Sequence, residues 1–228
     1  MEHCNTCENC NIRSPLFNLL SEEELKIINT GRFEVVFNAG ENIIKQGTSA
    51  SHLIVLTRGM AKLYLEGLDK KNLILKLMPP WKMFGAPGLF SDVRYQYSVT
   101  ALVESSACFI PSENVRKIIR SNPDFAEGLL KHCNNNNANN YERLVSLTQK
   151  QMHGRLADVL LYLSKEIHHS TAFNLCITRQ EIGDMSNMTK ESATRILKEF
   201  ENEGIIKIET KTIEILKMDN LKEIALHG

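Results

Sequence analysis

From Thr178 to Gly204 the chain reads TRQEIGDMSNMTKESATRILKEFENEG, with apolar positions at the three- and four-residue spacing of helices. Ile182 and Met185 mark a short first helix, which starts at Thr178 because Glu181, three residues on, completes a capping box. Ser186-Asn187-Met188 breaks the period, and Asn is a residue that tolerates a left-handed turn. A second helix is predicted from Thr189, with Ala193, Ile196, Leu197 and Phe200 inward and Lys190, Glu191, Thr194, Arg195 and Lys198 outward. Gly204 ends it, and Ile205, Ile206, Ile208, Ile213 and Ile215 then form two short β-branched runs separated by Glu209 to Thr212, the pattern of a hairpin. Two short helices, a tight turn, an outward polar row and a hairpin predict a winged helix-turn-helix whose second helix suits a DNA major groove.

Earlier in the chain the period changes. Ser21 and Glu24 predict a capped helix running through Leu25, Ile27 and Ile28. Phe33, Val35 and Phe37 then alternate, glycines 40, 47 and 59 punctuate, and Ile54 to Leu56, Leu63 to Leu65 and Leu73 to Leu77 are short apolar runs, the signature of a β-sandwich or barrel. Trp81, the single tryptophan, is expected in its core. Between the two patterns, Ala126, Leu130, Cys133, Asn137, Asn140, Leu144, Leu147 and Gln151 recur at four and three residues, as in a coiled-coil seam. Its middle falls in an asparagine-rich run, so either buried asparagines fix the register of a dimer or the face lies one position away and the asparagines are outside.

The composition is ordinary for a globular chain of 228 residues, 43% hydrophobic and 24% charged. With no run of about 18 apolar residues and a polar first stretch, a cytoplasmic protein without a membrane span is expected. Formal net charge is zero, and from residue 151 onward there are 10 Lys and Arg against 12 Asp and Glu. Bulk attraction to nucleic acid is thereby excluded, and DNA binding must rest on a locally basic face. No nucleophile elbow, phosphate-cradling glycine loop or metal-spaced histidine pair points to an enzyme. Cys4, Cys7 and Cys10 stand at two-residue gaps, and from spacing alone an iron-sulfur cluster, a zinc ion and no metal all remain open.

The outward row carries specific chemistry. A glutamate at 191 can accept from cytosine and an arginine at 195 can clamp O6 and N7 of guanine; the alternative is a solvated ion pair between the two. ITRQEIG at Ile177 to Gly183, E-S-x-T-R-I-L-K at Glu191 to Lys198 and KTI at Lys211 to Ile213 resemble the Crp/Fnr bacterial transcription regulators. The resemblance implies that Glu191 and Arg195 touch bases, that Lys190 and Thr194 tune sequence preference, and that Arg179, Gln180 and Thr189 hold phosphates. Asn187 stands where typical members have a turn glycine.

ESSACFIP at Glu104 to Pro111 and CENCNIRSPLF at the N-terminus resemble the cysteine-bearing segments of the members typified by the fumarate and nitrate reduction regulator. This implies an iron-sulfur cluster on Cys4, Cys7, Cys10 and Cys108. The family's wider final gap would put a ligand near Ser14 or Pro15, so Cys4 stands in for it. In the stretch that holds the phosphate in cyclic-nucleotide binders, Phe84 to Ala101, no Glu follows Gly85, and Arg94 precedes Tyr95, Gln96 and Tyr97, so cyclic AMP is not expected.

The expected architecture is α+β. A cysteine-rich segment (1–14) precedes a β-roll sensor of the cyclic-nucleotide-binding jelly-roll type (15–115), a dimerisation helix region (116–151) and a winged-helix DNA-binding domain (152–228). Leu130, Cys133, Asn137, Asn140, Leu144 and Leu147 are the expected dimer contacts. The expected partners are a second copy, a palindromic double-stranded operator and, by the resemblance, RNA polymerase. The signal is expected to be redox, oxygen or nitric oxide; the other reading has the roll sense haem or a small organic ligand, or leaves the cysteines without a cofactor or on zinc.

Overall fold

The computed structural model describes residues 14–68, 71–89 and 94–228; Cys4, Cys7 and Cys10 lie outside them. The chain enters through a 3-10 turn, Pro15–Leu19, and helix α1, Glu22–Asn29. At its start Ser21 Oγ accepts from Glu24 N and the Glu24 carboxylate accepts from Ser21 N at 2.9 Å, the expected capping box. Among the described residues eight strands follow: β1 (Phe33–Phe37), β2 (Asn42–Ile44), β3 (His52–Arg58), β4 (Ala61–Glu66), β5 (Asn72–Met78), β6 (Met83–Phe84), β7 (Ser98–Ala101) and β8 (Ser105–Pro111). They form two four-stranded sheets, ordered β1-β8-β3-β6 and β2-β7-β4-β5, the β-roll expected from the short apolar runs.

Alternation explains why β3 is buried on both faces. Leu53 and Val55 join Cys108 and Ile110 of β8 in a core with Phe17, Leu25 and Ile28, and with Val115, Ile118, Phe125 and Leu129 from helices α2 (Ser112–Ser121) and α3 (Pro123–Gln149). Ile54 and Leu56, pointing the other way, are equally buried.

Trp81 departs from expectation: it is 54% exposed. Pro79-Pro80 leads into a turn in which Lys82 N donates to Pro79 O at 3.4 Å and Trp81 takes φ 68, the left-handed value that the third residue of a proline-led turn requires. Its backbone N–H, bonded to Leu56 O at 2.7 Å, is tied to the sheet, and the ring is left outside.

By internal contacts the described chain divides into two units, residues up to 66 with 76–138 in the first and 67–75 with 139–228 in the second, so that one boundary falls within α3. The helix ends at Gln149, and Gln151, expected at the end of its seam, instead begins α4 (Met152–Tyr162). The second unit continues through a turn of π-helix at Leu163–Ile167, β9 (Ala172–Asn174), α5 (Arg179–Ser186), α6 (Lys190–Asn202), β10 (Ile206–Glu209), β11 (Thr212–Ile215) and α7 (Met218–His227). The wing is a three-stranded antiparallel sheet, β10-β11-β9, rather than the hairpin alone. Leu156, Ala157, Val159 and Leu160 of α4 share the fully buried centre of this unit with Ile182, Ala193, Ile196 and Ile213. Among the described residues no helix is long and apolar enough to cross a membrane.

Candidate nucleic-acid interface

The two helices that build the site are fixed by local chemistry. At the start of α5, Thr178 Oγ1 accepts from Glu181 N at 3.2 Å while Glu181 Oε2 accepts from Thr178 N at 2.7 Å. At its end Asn187 adopts φ 49 and ψ 54, left-handed as the sequence required, and Met188 N donates to Gly183 O at 3.0 Å. A Cβ on Gly183 would lie 2.7 Å from Met188 O, so the turn closes against α5 too tightly for a larger residue. Thr189 then caps α6 by accepting from Ser192 N at 3.2 Å. The helix ends in a Schellman motif: Ile205 N donates to Phe200 O at 2.9 Å and Gly204 N to Glu201 O at 3.0 Å, with Gly204 at φ 64.

The inward face of α6 is the predicted one: Ala193, Ile196, Leu197 and Phe200 are each 1% exposed or less. Burying those four fixes the helix rotation and turns Lys190, Glu191, Arg195 and Lys198 to solvent, with Thr194 half-buried. Thr194 Oγ1 donates to Lys190 O at 2.8 Å, which leaves its methyl group and oxygen lone pairs available. Arg195 does not pair with Glu191. Its Nη1 donates to Glu199 Oε1 at 2.6 Å, one turn further on, and Glu199 Oε2 lies 2.8 Å from His153 Nε2 of α4. The bond to His153 and then the Arg195 guanidinium hold the Glu199 carboxyl below the usual carboxylate range.

Of the residues assigned to phosphates, Gln180 is exposed and donates from Nε2 to Asp184 Oδ1 at 2.8 Å, and Thr189 is exposed at the mouth of α6. Arg179 is half-buried; its Nη1 is buried with no hydrogen-bond partner, and burial draws its pKa down against the opposing pull of Glu201. Sequence reasoning missed His153 and Glu199. The signal for Glu199 was present in its spacing of four from Arg195, but the approach of α4 was not. It also missed two arginines that brace the turn: Arg143 Nη2 donates to Met185 O, and Arg155 Nη1 donates to Asn187 O at 3.3 Å.

The other expected site residues fall into two places. Cys108 lies in β8 opposite Glu34 and Val55, 5% exposed, and its Sγ accepts from Arg32 Nη1 at 3.1 Å. On α3, Leu130 and Leu144 are exposed, as are Asn137 and Asn140. Cys133 turns instead toward the roll core, where burial raises its thiol pKa, and Leu147 is half-buried. The exposed large apolar residues of the helix are Leu130, Tyr141, Leu144 and Val145, a stripe that keeps Leu130 and Leu144 of the expected contacts but not Cys133 or Leu147.

Comparison with known proteins bears on both ends. The profile of the Crp-like helix-turn-helix domain matches residues 154–224, and that of the cyclic nucleotide-binding domain matches residues 34–122. The chain belongs to the Crp/Fnr family of transcription regulators. Among its relatives is the cAMP-activated global transcriptional regulator CRP of Pasteurella multocida, 29% identical over 177 residues, covering 76% of this chain and 85% of that one. The transcriptional activator protein Anr of Pseudomonas aeruginosa is 24% identical over 232 residues, covering 99% and 93%. The fold is also that of FixK2 from Bradyrhizobium japonicum, with a TM-score of 0.77 at 19% identity over 85% of this chain and 96% of that one. A Crp/Fnr regulator from Eubacterium rectale gives a TM-score of 0.75 at 20% identity over 93% and 98%. As a member of this family the chain is a DNA-binding transcription regulator, not an enzyme.

Proposed function

We propose that the protein is a homodimeric regulator that reads a palindromic operator through α6 and answers a redox, oxygen or nitric oxide signal through an iron-sulfur cluster. The DNA half rests on one observation: the buried face of α6 leaves Glu191 and Arg195 exposed one turn apart, where they are suited to reading G·C pairs. Lys190 and Thr194 flank them as tuners of sequence preference, with Gln180, Thr189 and Arg179 toward the phosphates. Replacing Arg195 by Ala abolishes preference for the site, and Glu191→Ala relaxes it at one base pair, each at about 1 to 3 kcal/mol of discrimination. Unchanged discrimination in both variants would remove α6 as the reader. In the cell, RNA polymerase is the proposed partner of the DNA-bound dimer.

The dimer is carried by α3. Leu130, Tyr141, Leu144 and Val145 are exposed along one side of a helix of 27 residues, an apolar stripe that a second copy would cover. Asn137 and Asn140, exposed between them, would lie in or beside the seam, fixing register at a cost in affinity.

The signal half rests on Cys108. The sulfur sits in the cluster of buried residues that includes Phe17, and Ser14, where the described chain begins, is itself buried. Thiolate donors and an adjacent guanidinium also suit an anionic cluster. Cys4, Cys7, Cys10 and Cys108 would hold it, and when bound it would supply a centre that oxygen or nitric oxide destroys. Tethering the N-terminal segment to the roll would add a few kcal/mol in favour of the dimer, and loss of the cluster would withdraw it. Cyclic AMP is not part of this reading, because in the stretch that would hold its phosphate no Glu follows Gly85 and Arg94 precedes the bulky Tyr95, Gln96 and Tyr97.

Anaerobic purification with visible absorption, iron and sulfide analysis, and sedimentation before and after air exposure tests the proposal. Iron and acid-labile sulfide that disappear in Cys108→Ser, with a dimer weakened by air, are expected. An iron-free dimer of equal strength in both states would sink the switch.

A further inference from the structure

Arg195 is the proposed base reader, yet the long side chain of an exposed arginine has many rotamers to lose when it docks. In this protein it is already held. Glu199, one turn along the same helix, takes Nη1 of Arg195 on Oε1 at 2.6 Å and presents Oε2 to His153 Nε2 at 2.8 Å. His153 comes from α4, and its ring lies 6.0 Å from that of Phe200, which is 1% exposed. The chain of contacts therefore runs from a buried aromatic anchor through an imidazole and a carboxylate to the guanidinium on the outer face. Each oxygen of Glu199 has a different partner, so the carboxylate cannot rotate toward one without leaving the other.

We infer that Glu199, fixed by His153, is a positioning residue for sequence readout: it orients the Arg195 guanidinium before DNA arrives, and its own charge opposes binding to DNA in general. With Nη1 engaged, Nη2 and Nε remain to face a guanine edge, and rotamers that would let Arg195 reach a neighbouring base or a phosphate are depopulated. The two consequences have opposite signs. Removing Glu199 lowers discrimination between correct and altered sites, because Arg195 becomes mobile, while affinity for unrelated DNA holds or rises, because a carboxylate has left the face that meets phosphates. A residue that merely stabilised the fold would lower both together. This inference rests on the reading of α6 as the DNA-recognition helix.

The test uses full-length protein and two duplexes, the selected operator and the same operator with the Arg195-dependent G·C pair changed, plus a scrambled duplex. Glu199→Ala and His153→Ala are each expected to reduce the operator-to-altered-site affinity ratio about 3- to 10-fold without weakening binding to the scrambled duplex. Glu199→Gln, which keeps an acceptor for Nη1 without the charge, is expected to recover most of the ratio. In an Arg195→Ala background Glu199→Ala is expected to change the ratio no further. Arg195→Ala reducing the ratio while Glu199→Ala leaves it intact would overturn the inference and spare the reading of α6. A ratio indifferent to Arg195→Ala would overturn both. Parallel loss of affinity for all three duplexes, with a lowered melting temperature, would make Glu199 structural and also overturn it.

Discussion

Helices α6 and α3 both carry apolar residues at helical spacing, but only in α6 are all of them covered by the rest of the described chain. In α6 all four predicted inward residues are buried, and what remains outside is polar. In α3, Phe125 and Leu129 are buried near the start, while Leu130, Tyr141, Leu144 and Val145 lie in solvent. Exposed polar residues on a finished helix are free to serve a ligand, whereas exposed leucines and a tyrosine in one stripe exact a cost that only a further surface can recover. The same period of three and four thus means two different things, and burial separates them.

The sharpest way to break the contrast is to truncate one residue from each helix. Phe200→Ala on α6, 1% exposed, is expected to lower unfolding free energy by about 3 to 5 kcal/mol in urea titration, at any protein concentration. Leu144→Ala on α3, 59% exposed, is expected to leave the monomer's stability almost unchanged. It should instead weaken the proposed dimer by about 2 kcal/mol for each copy, visible as a shift of the sedimentation midpoint to higher concentration. Equal, concentration-independent effects of the two substitutions would erase the distinction.

A smaller effect separates the inward side of α3 from its outward side. Asn136 faces the roll and accepts from Lys76 Nζ at 2.7 Å, which gives one member of the asparagine run an internal duty. Burial, with Lys82 nearby, brings the Lys76 pKa down to about 8. The folded state therefore releases this proton before the unfolded chain does, and stability contributed by the site rises as pH climbs from about 8 toward the ordinary lysine value near 10.4. Below pH 8 both states hold the proton and the cost of burying the charge is borne in full. Lys76→Met is expected to raise stability at pH 7 by about 1 to 3 kcal/mol and to remove that rise, as measured by urea midpoints at pH 7 and 9.5. A wild type and variant that keep the same difference at both pH values would show that Lys76 remains charged in the fold.

These differences also explain what could be read from the sequence. The helix-turn-helix was legible because its determinants are local: Thr178 and Glu181 meet across one turn, Asn187 takes its left-handed conformation within the turn itself, and Gly204 closes the Schellman motif. Most strands of the roll were legible from apolar runs; in the wing β9 was not, because three residues at Ala172–Asn174 become a strand only by pairing with β11. Trp81 was misplaced because residue type favours burial, whereas two preceding prolines set the backbone that turns its ring out. In the site, Glu191 and Arg195 were found from helical phase alone. His153 was invisible because its approach to Glu199 depends on how α4 packs against α6, a fact of tertiary structure. On α3, Cys133 fits a heptad and a roll-facing position equally well in sequence, and only burial decides between them.

Enrichment of binding sites from a random duplex library by the full-length protein, kept free of oxygen, tests the central claim most directly. If two copies paired through α3 each place α6 in a major groove, the recovered sequences carry two inverted half-sites about one helical turn apart, each with the G·C pair on which Arg195 depends. Arg195→Ala then loses preference at that pair in both halves. Recovery of no common sequence, or of sequences whose preference is the same with and without the Arg195 side chain, would contradict the assignment of α6 as the reader of DNA.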